Sequence, residues 1–215
     1  MNKEVKNMNF YVLLARQAIE NYIKEGKIIS PTTDLAEEFL IQGRAGTFVT
    51  IEKNGNLRGC IGTYLPTRKN IAEEIIYNAI AASTEDYRFG PIQKEELPYL
   101  SYTVYILSQP ELVGILGGST SRNYENDNIR RLNLQKISRQ LDPKKYGIIV
   151  KTAPISPSGD VIFNGHFVAK TGLLLPDLEG VDTIEKQISI ACQKASINPL
   201  KEKILIYRFT VEKFE

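Results

Sequence analysis

Residues 47–62 read Thr47-Phe48-Val49-Thr50-Ile51-Glu52-Lys53-Asn54-Gly55-Asn56-Leu57-Arg58-Gly59-Cys60-Ile61-Gly62. Threonine, valine and isoleucine with Phe48 crowd positions 47–51, which is strand composition, and Asn54-Gly55 is the pair that a tight hairpin turn favours. A second strand therefore begins at Leu57. Strand alternation places Arg58, Cys60 and Gly62 on one face and Leu57, Gly59 and Ile61 on the other. The hairpin thus sets a guanidinium beside a thiol, with glycine on either side of the cysteine.

Working outward, Tyr11, Leu14, Ala15, Ala18, Ile19 and Tyr22 recur at helical spacing, and Gly26 stops that helix. After Pro66, the pattern Ile71, Ile75, Ala79, Ala82 predicts a second helix, with Thr67 or Asn70 as N-cap and Glu73 and Glu74 at the positive end of its dipole. Leu100, Tyr102, Val104 and Ile106 alternate with Ser101, Thr103 and Tyr105 as a strand. Residues 109–128, rich in Gly, Ser and Asn, read as a long exposed excursion. Ile129, Leu132 and Ile137 suggest a modest helix. Residues 148–151 and 161–169 read as a strand pair around the turn composition Pro157-Ser158-Gly159-Asp160. Ile184, Ile188, Ala191, Cys192 and Ala195 form a helical stripe capped by Asp182 or Thr183, and Leu205, Tyr207, Phe209 and Val211 form a last strand. Helices and hairpins alternate without repeating βαβ units, which predicts an α+β fold with a mostly antiparallel sheet flanked by helices.

Composition narrows the function classes. The chain has 215 residues, 42% of them apolar and 24% charged, the balance of an ordinary globular protein. Its 27 Lys and Arg are nearly matched by 25 Asp and Glu. No bulk field then draws it to nucleic acid or to an anionic membrane. The basic clusters Arg68-Lys69, Lys144-Lys145 and Arg130-Arg131 with Arg122 are interspersed with acids and read as solvated surface. No apolar run reaches membrane-span length, and the apolar run at residues 10–15 is too short for a secretory signal, so a cytoplasmic protein is expected. Two cysteines and one histidine make a multi-histidine or four-cysteine metal site impossible from this chain alone. Cys60 and Cys192 are expected as reduced thiols, with Cys192 in the core. No Walker A, dinucleotide fingerprint, Gly-x-Ser-x-Gly or His-Glu-x-x-His motif occurs, so no cofactor is expected.

Cys60 is the candidate nucleophile. A fixed positive charge a few ångströms from a thiol favours the thiolate, and glycine within a strand marks the close approach of another backbone or a ligand. The same residues also suit plain packing: free cysteine is often buried, Gly59 and Gly62 would admit a helix, and Arg58 would pair with a carboxylate such as Asp86. Asp86 and Arg88 form a second candidate pair. Arg68 precedes a helix N-terminus, where anions bind. His166, the single histidine, is a weaker candidate general base, because nothing in the spacing brings it to Cys60.

The run Leu57-Arg58-Gly59-Cys60-Ile61-Gly62-Thr63, then Asn78-Ala79-Ile80-Ala81-Ala82, then Glu85-Asp86-Tyr87-Arg88-Phe89-Gly90-Pro91, resembles the AMMECR-type domain family of the AmmeMemoRadiSam system. The match continues in Asp142-Pro143, residues 146–150, residues 172–176 and Gln187 to Lys194-Ala195, and so covers nearly the whole chain. It departs from the usual pattern at 109–128 and at Tyr87 and Gly90, where prolines are more typical. The resemblance implies a single domain over residues 1–215 with a larger and a smaller lobe and the Arg-Gly-Cys segment in the cleft between them. It also implies association with a Memo-type protein and a radical S-adenosylmethionine enzyme. Two functions are expected: an enzyme or enzyme subunit that binds a small anionic substrate through Arg58, Gly59, Gly62, Thr63, Arg68, Asp86 and Arg88, or a non-catalytic protein adapter or weak RNA-binding module.

Overall fold

The computed structural model describes residues 9–31, 43–117, 133–154, 161 and 168–215. They fall into two compact units, one running to Gln109 and including Glu212–Glu215, the other Pro110–Val211. Each has its own four-stranded sheet. The fold is α+β, as the interspersed periodicities predicted.

In the first unit, helix α1 (Phe10–Glu25) precedes strands β1 (Thr47–Lys53) and β2 (Asn56–Thr63), helix α2 (Ile71–Thr84), a short 3-10 turn (Lys94–Tyr99) and strand β3 (Leu100–Leu107). The Asn9 side chain caps α1, and Gly26 ends it in the left-handed conformation at φ 68°, where a side chain would be strained. Asn70 caps α2 by accepting the Glu73 N–H. The sheet order is β2-β1-β3-β8, with β8 (Val211–Phe214) contributed by the last residues of the chain. β1 pairs antiparallel with both β2 and β3. Val49, Ile51, Val104 and Ile106 of the sheet bury against Ala15, Ala18 and Ile19 of α1 and Ile75, Ile76 and Ala79 of α2. Burial of each large aliphatic side chain contributes about 1.5–3 kcal/mol, which fixes this as the helix-covered face.

The second unit holds strands β4 (Glu111–Gly117), β5 (Gly147–Thr152), β6 (Thr171–Leu174) and β7 (Lys203–Phe209) in the order β4-β7-β5-β6, with helix α3 (Ile184–Lys194) packed on β5 and β6. Ile188, Ala191 and Cys192 meet Ile148, Val150, Ile204 and Ile206 in its core. Thr183 caps α3.

Three expectations change. The first part of the supposed excursion at 109–128 is strand β4, because Leu112, Val113, Ile115 and Leu116 supply enough apolar surface to pair with β7 despite a bulge between Leu112 and Gly114; residues 118–128 lie outside the described set. The expected last strand is two strands, since β7 belongs to the second sheet and β8 to the first, with Thr210 between them. β5 pairs with Thr171–Leu174; of the expected 161–169 strand, residues 162–167 are not described. Among the described residues no helix is long and apolar enough to cross a membrane.

Candidate functional site

β2 departs from simple alternation at the residue where the site hypothesis began. Ile51 pairs with Gly59, but the next β1 residue, Glu52, pairs with Leu57, so Arg58 is the extra residue of a bulge. The bulge returns Leu57 to the side of Glu52 and releases Arg58 from Cys60. Arg58 instead grips Glu96 of the 3-10 turn with two bonds, Nε to Oε2 at 3.0 Å and Nη2 to Oε1 at 2.9 Å, and donates to the Gly90 carbonyl. Lys53 reaches the same carboxylate at 3.0 Å. Arg58 therefore neither partners the thiol nor pairs with Asp86. First because of Arg58, the Glu96 carboxyl is held at about 2.

Cys60 is half-buried on the sheet face opposite α1 and α2. Its register partner Thr50 donates its hydroxyl to Sγ at 3.2 Å. Its backbone N–H, on the outer edge of β2, donates to Asp86 Oδ2 at 2.8 Å. That edge is protected because Asp86 lies just past α2 and is itself gripped by Arg88, Nε to Oδ1 at 2.9 Å and Nη2 to Oδ2 at 2.7 Å. The Arg88 bonds are the main reason the Asp86 carboxyl sits at about 2. Arg88, held by the carboxylate that takes the Cys60 N–H, is 44% exposed on its side chain.

The same face carries groups the sequence reading passed over. Tyr105 on β3 acts electrostatically on both Cys60 and Lys213 of β8, and burial pushes its phenol up. Lys213, raised chiefly by its bond to Glu215, stays charged. Phe48 lies over Gly62, where a Cβ would collide with its ring, an aromatic ring filling the space of a missing side chain. Thr50 and Tyr105 were legible as the polar half of an alternating strand pattern. Lys213 was not, since β8 joins this sheet only through tertiary pairing.

Other candidates are occupied by the protein itself. Gly59 lies so close to the Ala82 carbonyl of α2 that it is a packing position. Thr63 donates to the buried Glu74 carboxylate at 2.5 Å and accepts from Asn78. Glu74 also takes the backbone N–H groups of Thr67 and Arg68, both at 2.7 Å, and the Thr67 hydroxyl. The anion expected at the start of α2 is thus the chain's own carboxylate, supplied from one turn into the helix. The Arg68 guanidinium stacks 3.6 Å over the Tyr77 ring. Cys192 is buried, and burial pushes its thiol up. His166 lies outside the described residues. Among the described residues no three His, Cys, Asp or Glu side chains gather as metal ligands.

A family model described as AMMECR1 matches residues 12–214. The chain belongs to the AMMECR1 family. A relative in Thermotoga maritima is 45% identical over 206 residues, covering 95% of this chain and 97% of the relative. A Clostridium acetobutylicum relative is 38% identical over 204 residues, which are 95% of this chain but 34% of that protein's length. The crystal structure of the uncharacterized protein PH0010 from Pyrococcus horikoshii is similar at a TM-score of 0.69 and 28% identity, covering 95% of this chain and 88% of that one. This AMMECR1-family chain therefore shares its α+β architecture with a solved structure.

Proposed function

We propose that the sheet face opposite α1 and α2 binds a small anionic substrate against Cys60, with Cys60 as nucleophile. The observation that carries the reading is that Thr50 donates to the Cys60 sulfur on the face that also carries Tyr105, while Arg88 is held at the adjacent β2 edge by Asp86, which takes the Cys60 N–H. A cysteine held by a hydroxyl donor and faced by positive charge is poised for attack on an electrophilic carbon. Tyr105, protonated at neutral pH, donates a hydrogen bond to the substrate, and Lys213 with Arg88 draws its negative charge. Asp86 orients Arg88 and the Cys60 backbone, while Arg58, Gly59, Gly62 and Thr63 hold the framework of β2. Association with a Memo-type protein and a radical S-adenosylmethionine enzyme belongs to the same proposal and is tested by co-purification of the endogenous complex.

The direct test compares alkylation of Cys60 by iodoacetate, which is anionic, with that by iodoacetamide, its neutral counterpart. Relative to a free thiol in the same buffer, Cys60 is expected to favour iodoacetate severalfold, and Lys213→Ala with Arg88→Ala is expected to erase the preference. An iodoacetate to iodoacetamide ratio at or below that of the free thiol would leave the adapter reading in its place.

A further inference from the structure

Beside the Cys60–Thr50–Thr103 row of the first sheet runs a second row, Gly62–Phe48–Tyr105, set by the same strand register. Phe48 and Thr50 are two residues apart on β1, so the two rows share a face and stand about 7 Å from one another.

Phe48 is half-buried, yet it joins neither hydrophobic core among the described residues. Gly62 leaves room for its ring over β2, since a Cβ there would collide with it. No described aromatic ring or cation stacks on that ring. A large aromatic side chain set beside a thiol on an otherwise polar sheet face, with nothing of the described protein stacked on it, is a surface built for a ligand.

The polar groups of the same row define what the ring would hold. The Tyr105 hydroxyl, across from Phe48 on β3, makes no hydrogen bond with a described residue and is not sealed from solvent. Burial pushes this phenol up, so at neutral pH it donates. Phe214 packs into the helix-covered core, which points its neighbour Lys213 to the face of Tyr105. Lys213 is bonded to Glu215, and half of its side chain remains exposed. Glu52, the acid of β1 on this face, stands in the row beyond Thr50, at the end away from Phe48. An anion is therefore favoured at the Phe48–Tyr105 end.

We infer that the anionic substrate of this face is an aromatic acid whose planar ring stacks on Phe48 and whose carboxylate accepts from the Tyr105 hydroxyl, within one row of Cys60. The inference rests on the reading of Cys60 as the thiol that faces the substrate. It adds the ring to the charge.

Protection of Cys60 in the full chain against iodoacetamide, read by mass spectrometry, tests it with phenylacetate and its saturated counterpart cyclohexylacetate. Aromatic stacking is worth about two- to tenfold in affinity beyond burial, so phenylacetate is expected to protect at a concentration lower by about that factor. Cyclohexylacetate is the more apolar acid, and a plain hydrophobic contact would reverse the order. Phe48→Leu is expected to remove the preference and Phe48→Tyr to keep it, while Tyr105→Phe weakens both acids and leaves their ratio unchanged. Equal or better protection by cyclohexylacetate, no protection by either acid, or a preference that survives Phe48→Leu each overturns the inference. The preference of Cys60 for iodoacetate over iodoacetamide is read separately: if it holds while the ring preference fails, the aromatic acid alone is wrong, and if both fail, the Cys60 reading falls with it.

Discussion

The Asp86 carboxylate accepts the backbone N–H of Cys60 at 2.8 Å across 26 residues of chain, while the same carboxylate is held by the side chain of Arg88. One acidic side chain thereby closes an exposed strand edge, positions the only half-exposed cysteine among the described residues and orients a guanidinium beside it.

This arrangement is pH-dependent with a definite sign. The Asp86 carboxyl is at about 2 in the folded protein, below its ordinary value, so its contribution is complete at pH above about 5 and is lost as the pH falls towards 2. Allowing for the exposure of Arg88, Asp86→Asn is expected to cost about 1–2 kcal/mol at pH 7. Urea unfolding of the two proteins at pH 7 and near pH 3 checks it: the gap between them shrinks in acid, and a gap of constant size would refute the linkage.

Arg58 is a structural clamp. It is 16% exposed on its side chain and bound twice to Glu96, itself 15% exposed. Arg58→Ala is expected to destabilise the protein by about 2–3 kcal/mol, since it strips a nearly buried carboxylate of its main partner. The rate of Cys60 alkylation in the folded variant is expected to stay within about twofold of the parent, less than the effect of a single ordinary hydrogen bond. A selective fall in that rate, with stability intact, would return Arg58 to the thiol site.

Gly59 and Gly90 separate packing from conformation. A Cβ on Gly59 would run into the Ala82 carbonyl of α2, whereas one on Gly90 meets nothing within 4 Å. Gly59→Ala is expected to lower stability by about 1–3 kcal/mol, and Gly90→Ala to change it by less than about 0.5 kcal/mol. Chemical denaturation of both variants gives the comparison, and equal losses would show that β2 and α2 can part without cost.

The elements themselves were legible because their signals are local. Asn54-Gly55 fixed the hairpin, Asn70 and Thr183 capped the helices the periodicity proposed, and Gly26 ended α1. Where several turn-forming residues crowd together, as beyond Pro110, composition outweighed the apolar pairs that make β4 a strand. The face of the sheet carrying Cys60 was also readable, since Thr50 and Cys60 follow from period-2 alternation and a tight turn.

What the alternation could not carry was the bulge at Arg58. A single extra residue inverts every assignment beyond it, and the side chain of that residue is held by Glu96, 38 residues away. The same holds for Glu74 at the start of α2, for Asp86 on Cys60 and for Lys213 on the β8 strand. Sequence alone determined which segments are helix and strand and which cysteine lies in the core, because apolar periodicity and capping act within a few residues. Only the tertiary structure decided which carboxylate meets which cation. Charge pairing depends on distances of a few ångströms between segments that the chain order leaves far apart.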